Sequence, residues 1–134
     1  MSLARTVAAV LGVVYVLVGI LGFVPAFVAD SAPADMPSAS GSLIGIFPIN
    51  ALHNIVHLAI GAALLYGATA TPAAILVSRI VGVVYLLVGV LGLLSADGFG
   101  LLPLGGLDIG LHLATGAVLA YIGFAAPRSE TAAA

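Results

Sequence analysis

The sequence predicts an all-α membrane protein, a four-transmembrane-helix bundle made of two tandem two-helix repeats related by a pseudo-twofold axis along the membrane normal. Three observations predict it. Hydrophobic residues make up 63% of the 134 residues and charged residues only 6%, whereas a soluble domain carries about 25% charged residues. The apolar residues fall into four segments, each longer than the ~20 residues that cross a ~30 Å hydrocarbon core. The first and third segments share one motif, and the second and fourth share another.

The segments cover roughly residues 4–28, 43–68, 73–94 and 101–126. The first is too long for a signal peptide and has a close counterpart downstream, so it is read as a mature helix. The breaks are turn-like: "DSAPADMPSASGS" (Asp30–Ser42) is a polar, Pro- and Ser-rich loop, "GATATP" (Gly67–Pro72) a tight connection, and "SADGFG" (Ser95–Gly100) carries an Asp-Gly turn pair. The chain reads as one transmembrane domain over 1–134, with repeat one at about 4–68, repeat two at about 73–126 and a short polar tail at 127–134. Arg5, Arg79 and Arg128 flank the N-terminus, the second loop and the C-terminus, while Asp30, Asp35 and Asp97 lie in or beside the other two loops. Positive charge stays inside, so both termini are expected in the cytoplasm, with the protein multi-pass in the plasma (inner) membrane.

Composition also excludes chemistry. There is no Cys, and the formal net charge is −2. Thiolate catalysis and disulfides are ruled out, and nothing suggests a nucleic-acid partner. The expected partner is the lipid bilayer, with self-association or a larger membrane complex left open. Without Trp, interfacial anchoring falls to Tyr and Phe, and Tyr66 and Tyr121 stand at the ends where such rings anchor.

The repeat is close. "GVVYVLVGILG" (Gly12–Gly22) returns as "GVVYLLVGVLG" (Gly82–Gly92), and "PINALHNIVHLAIGAALLY" (Pro48–Tyr66) as "PLGGLDIGLHLATGAVLAY" (Pro103–Tyr121). Low complexity in a greasy chain does not align Pro, His and Tyr together, so duplication is the better reading. A two-helix unit returns to its starting side, which gives parallel repeats. The glycines of helices 1 and 3 share a face with Tyr15 and Tyr85, as close helix packing in membranes requires.

Polar residues collect on single faces. Helix 2 carries Asn50, His53, Asn54 and His57; helix 4 carries Asp108 and His112, Asp108 standing where helix 2 has His53. Pro48 and Pro103 suit the first turns of these helices. Counting from them places His57 and His112 near mid-span; Tyr15, counted from Arg5, and Tyr85, near the middle of its span, fall in the same layer, with His53 and Asp108 one turn further out. Ionisable groups at that depth face the bundle and find partners: His to Tyr, His53 to Asp108, Asn54 to a backbone or side-chain group.

These motifs resemble a bacterial membrane family catalogued as domain of unknown function 4383, whose members are small four-helix membrane proteins. The matching patterns are G-x-x-Y-x-x-x-G-x-x-G at Gly12–Gly22, N-x-L-H-N-x-V-H-L-x-x-G at Asn50–Gly61 and D-x-x-L-H-L-x-x-G at Asp108–Gly116. The chain departs from the pattern at Gly105–Gly106, where a polar residue is expected. The resemblance implies a fold and a location and no activity.

Three functions compete. The first is a non-catalytic accessory or structural membrane component, for which the polar layer (Tyr15, Asn50, Asn54, Tyr85 and the histidines) fixes helix register; no loop is large enough to build a soluble active site, so an enzyme is the less favoured class. The second is a haem- or metal-binding protein. His57 and His112 would be axial ligands to haem b, or His53, His57, Asp108 and His112 would hold a transition metal, which imidazole suits. The third is proton or cation conduction along His53, Asp108, His57 and His112, since Asp and His chains serve as relays.

Overall fold

The computed structural model describes residues 1–125; the polar tail expected at 127–134, with Arg128, lies outside the described residues. The architecture is four helices and a small sheet: α1 (Leu3–Leu21), β1 (Val28–Ala29), β2 (Gly41–Leu43), β3 (Phe47–Ile49), α2 (Ala51–Gly67), α3 (Thr71–Leu94) and α4 (Leu107–Phe124). Three of the helices, α1, α3 and α4, are long and apolar enough to cross a membrane; α2 is a shorter apolar helix of 17 residues. At 1.5 Å per residue α2 rises about 26 Å.

The surface is inverted relative to a soluble protein. Val10, Leu17, Ile55, Ile80, Leu87 and Val118 all stand half-exposed on the outer faces, where water would penalise them and lipid does not. The interior behind them holds small and polar residues. Buried Ala4, Ala8, Val81 and Ile122 pack with the fully buried Leu64 and Leu119 toward the end of the bundle that carries the N-terminus.

Helix pairs approach through glycine. A Cβ at Gly82 would lie 2.4 Å from the backbone nitrogen of Ala120, and one at Gly116 2.8 Å from that of Leu86. The α1–α2 pair uses the matching positions, Gly12 against Leu65 and Gly61 against Val16. Gly19 against Leu58 corresponds in the same way to Gly89 against Leu113. Such backbone proximity is how membrane helices gain dispersion contacts where lipid offers no hydrophobic driving force.

The outer loops differ from the sequence expectation. Residues 43–50 are not helical: they form a hairpin of β2 and β3, with β1 completing an antiparallel sheet in the order β1-β2-β3. Ile44 and Gly45 both have positive φ, 49° and 72°, as in a type I′ turn. Pro48 therefore does not open α2. It lies in the edge strand β3, opposite Ser42, where a residue without an N–H is tolerated. Asn50 caps the helix instead, its Oδ1 accepting from the backbone N–H of His53 at 2.8 Å. Pro103 likewise stands in irregular chain before α4, which starts after Gly106. Gly106 has φ 67° and ψ −138°, a conformation open to glycine alone. The glycine pair where the family pattern expects a polar residue thus has a backbone role.

The Asp30–Ser42 loop is folded onto the bundle rather than loose. Met36 and Ser42 are buried, and Met36 packs at Gly105. Asp97 Oδ1 accepts from both the backbone N–H and the hydroxyl of Ser38, and Asn50 Nδ2 donates to the carbonyls of Ser38 and Leu101. The two outer loops are thereby clamped together over the helix ends.

At the opposite end, two arginines satisfy carbonyls that the helices leave unpaired. Arg5 Nε donates to Ala68 O at 2.8 Å. Arg79 donates from Nε and Nη2 to Gly123 O at 3.0 and 2.8 Å and lies over the Phe124 ring at 4.9 Å. Arg79→Ala is expected to cost about 2 kcal/mol, the magnitude of a charge-assisted hydrogen bond with a cation–π contact. Arg79→Lys should recover part of that loss in a denaturation measurement in micelles; an unchanged Arg79→Ala midpoint would dismiss the capping role.

Candidate functional site

The polar residues converge from all four helices. α2 presents His53 and His57, one turn apart, and α4 presents Asp108 and His112 with the same spacing. α1 and α3 contribute Tyr15 and Tyr85. All six are buried. His57 and His112 lie only six and five residues from the starts of their helices, about 9 and 7.5 Å of rise. The cluster therefore sits toward the sheet end of the bundle, not midway along the helices, because residues 43–50 and 101–106 are not helical and the count from Pro48 and Pro103 begins too early.

Three imidazoles meet. His53 Nε2 and His57 Nε2 are 3.2 Å apart. One ring nitrogen from each of His53, His57 and His112 lies within 4.8 Å of the others. Ring centroids of His57 and His112 are 6.2 Å apart, and those of His53 and His112 6.1 Å. His112 is oriented by the residue one turn before it: its Nδ1 lies 2.8 Å from Asp108 O and 3.1 Å from Asp108 Oδ2. With Nδ1 donating there, Nε2 is the nitrogen left to act. The hydrogen bond to the backbone carbonyl fixes the tautomer, as it does for metal-ligating histidines, and the carboxylate lies alongside as an ion-pair contact without a hydrogen bond to its Oδ2.

The expected pairings are thus revised. Asp108 partners His112, not His53, because the i, i+4 geometry within α4 brings them together. His53 pairs with His57 for the same reason. The tyrosines meet the histidines ring to ring, not by hydrogen bonds: Tyr15–His57 and Tyr85–His112 are edge-on at 5.5 and 4.9 Å, and Tyr15–Tyr85 at 5.3 Å. Both tyrosine hydroxyls, His53 Nδ1 and His57 Nδ1 are buried without a hydrogen-bond partner. Asn50 belongs to the loop clamp and helix cap rather than to the cluster. Asn54 is buried against α1 at Gly22, where a Cβ would collide with its amide.

No described arginine reaches the cluster, since Arg5 and Arg79 are committed to carbonyls at the other end. Among the described residues the ion-pair partner of Asp108 is His112.

Sequence reasoning missed the cavity beside the cluster. It has a volume of about 250 Å³, and its walls include Leu11, Val14 and Val18 of α1, Leu111 and Thr115 of α4, and Ile44 and Phe47 of the hairpin. The hairpin was legible in part: Gly45 between two apolar runs is a turn signal, and Pro48 argues against a helix interior. The uniform apolarity of residues 43–68 hid both.

Comparison with known proteins identifies the family. The model for the domain of unknown function DUF4383 matches residues 5–125. The chain belongs to this family. The match takes in both His-bearing helices and both Tyr-bearing helices, so the whole cluster lies within the family domain. No curated protein and no solved structure gives a match.

Proposed function

We propose that this member of the family is a metal-binding integral membrane protein that holds one divalent transition-metal ion on His53, His57 and His112. The observation that carries the reading is the convergence of three imidazole nitrogens within 4.8 Å. Two of them already stand 3.2 Å apart, close to the ~3.3 Å separation of tetrahedral ligands at zinc–nitrogen distances of about 2.0–2.1 Å. Asp108 holds the third ring and supplies negative charge to the site. The expected metal is of the imidazole-preferring class that includes Zn, Cu, Fe and Ni.

An ion suits the site better than haem b. Haem b would need room for a macrocycle beside His57 and His112, and a third imidazole crowds the first, His53 Nε2 standing 3.2 Å from His57 Nε2. Conduction through the cluster is disfavoured because fully buried Leu64 and Leu119, with Ala8 and Val81, fill the bundle toward the other end. A purely structural hydrogen-bond layer is the competing reading. Metal analysis of the protein purified without chelator and dialysed against zinc separates them: one ion per chain supports the metal site, and a metal-free protein that competes for no zinc returns the cluster to a structural role.

We also infer that the halves are duplicated units related by an axis along the membrane normal. The matching glycine contacts of α1–α2 and α3–α4 support it, as do the paired positions Tyr15/Tyr85 and His57/His112. Both termini are proposed to be cytoplasmic, with the sheet outside, from Arg5 and Arg79 at one end and Asp30, Asp35 and Asp97 at the other. Cysteine at the exposed Ala34 should react with an impermeant thiol reagent in intact cells; protection there, with labelling of cysteine at Thr69, would reverse the orientation.

A further inference from the structure

The cavity beside the cluster is walled by all four helices and by the hairpin. Leu11 and Val18 of α1, Leu111 of α4 and Leu43, Phe47 and Ile49 of the sheet give it aliphatic and aromatic surface. His53, His57, His112 and Thr115 also line it, but their polar atoms are largely engaged. His53 Nε2 and His57 Nε2 meet each other, His112 Nδ1 meets Asp108 O, and Thr115 Oγ1 donates to Leu111 O. The hydroxyls of Tyr15 and Tyr85, Asp108 Oδ2 and the Nδ1 atoms of His53 and His57 are fully buried, so none of them opens into the cavity either. The polar residues present carbon to this space, and its wall is almost wholly apolar.

Such a wall selects its occupant. Apolar cavities stay dry, and a polar or charged guest would be buried with its own groups unpaired. Left unfilled, the space would deprive the side chains around it of dispersion partners, and protein interiors carry few voids larger than one water. A cavity of about 150 Å³ takes benzene; at about 250 Å³ this one takes a somewhat larger hydrocarbon. Hydrocarbon is also what the outer faces of the bundle are built to meet, with Leu17, Ile55, Ile80 and Leu87 all half-exposed.

We propose that the cavity is a binding site for a hydrocarbon guest without polar groups, either the end of a lipid acyl chain or a small free hydrocarbon dissolved in the bilayer. Packing against the apolar wall holds it, and no hydrogen bond or charge takes part. The guest adjoins the proposed metal centre but supplies no ligand to it, so the site holds with or without the ion.

The test uses the full chain, stripped of metal with chelator, in nanodiscs. In discs with deuterated acyl chains, benzene and phenol are titrated at matched concentrations in the bilayer. Cross-relaxation from each guest is measured to the Leu43 methyls and the Tyr85 ring, which are 4% and 2% exposed and so out of reach of bulk lipid. Saturable contacts from benzene are expected, with phenol at least about tenfold weaker, the value of a hydroxyl buried without a partner. A second set of discs with protonated chains distinguishes the two sources. Acyl-chain contacts to Leu43 and Tyr85 identify the lipid chain as the occupant; benzene contacts without acyl-chain contacts identify a free hydrocarbon. Val18→Phe, which places a ring in the cavity, should abolish the contacts from either source in a protein that stays folded by its amide spectrum; if that variant does not fold, the titration of the parent protein decides. Phenol bound as tightly as benzene, contacts unchanged in folded Val18→Phe, or no saturable contact from benzene or from the acyl chains would overturn the site.

Discussion

Gly82→Ala should destabilise the bundle by about 3 kcal/mol, at the upper end of what overpacking costs. The added methyl would lie 2.4 Å from Ala120 N and 2.9 Å from Ala120 Cα. Neither is the tip of a flexible side chain, so relief requires α3 and α4 to separate along their shared length, and contacts on both sides of the collision weaken with it. Two other glycines calibrate the effect. At Gly22 the three atoms nearest the methyl belong to the side chain of Asn54 and not to backbone, so a change of the Asn54 rotamer can relieve it and Gly22→Ala should cost less. At Gly110 it would meet nothing within 4 Å, and Gly110→Ala should gain about 0.5–1 kcal/mol from helix propensity. Reversible unfolding in mixed micelles would rank the three. A Gly82→Ala protein as stable as the parent would mean that α3 and α4 do not pack backbone to backbone.

His112→Ala should remove stoichiometric zinc, and His53→Ala and His57→Ala should do the same, because each takes one of three nitrogen ligands from a site with no spare imidazole among the described residues. Asp108→Ala keeps the backbone carbonyl that accepts from His112 Nδ1 and removes only the carboxylate beside it, so binding should stay measurable and weaken by about tenfold, the low end of what losing a supporting group costs. That graded outcome separates an orienting carboxylate from a fourth ligand: Asp108→Ala as severe as His112→Ala would place the carboxylate on the metal. Tyr15→Phe should leave zinc affinity unchanged. Affinity should also fall as pH is lowered, since each imidazole binds metal only when unprotonated. If instead the cluster is only a hydrogen-bond layer, His57→Ala would lower stability by about 1 kcal/mol with no metal to lose.

Much of this molecule is written in periodicity. The apolar runs, the glycine–tyrosine faces and the His spacing on α2 are local properties, and each is legible because a helix converts residue number directly into direction. His57 and His112 could be placed together from the matching motifs of α2 and α4, and their ring centroids lie 6.2 Å apart. The sheet could not be read in the same way. Residues 43–50 are as apolar as the helix that follows, and a chain meant for lipid carries no polar alternation to mark a strand.

Partner choice within the cluster also lay beyond the sequence. His53 could reach Asp108, His57 or His112, and only the rotation and separation of α2 and α4 decide among them. The structure pairs His53 with His57 and Asp108 with His112. The cavity is tertiary for a deeper reason: its walls come from all four helices and the hairpin, and an empty space has no residues of its own. By itself the sequence determined the apolar helices, the family and which polar residues lie on inward faces. The tertiary structure decided which nitrogens converge and which hydroxyls are left without partners, because those depend on distances between helices that no spacing along the chain encodes.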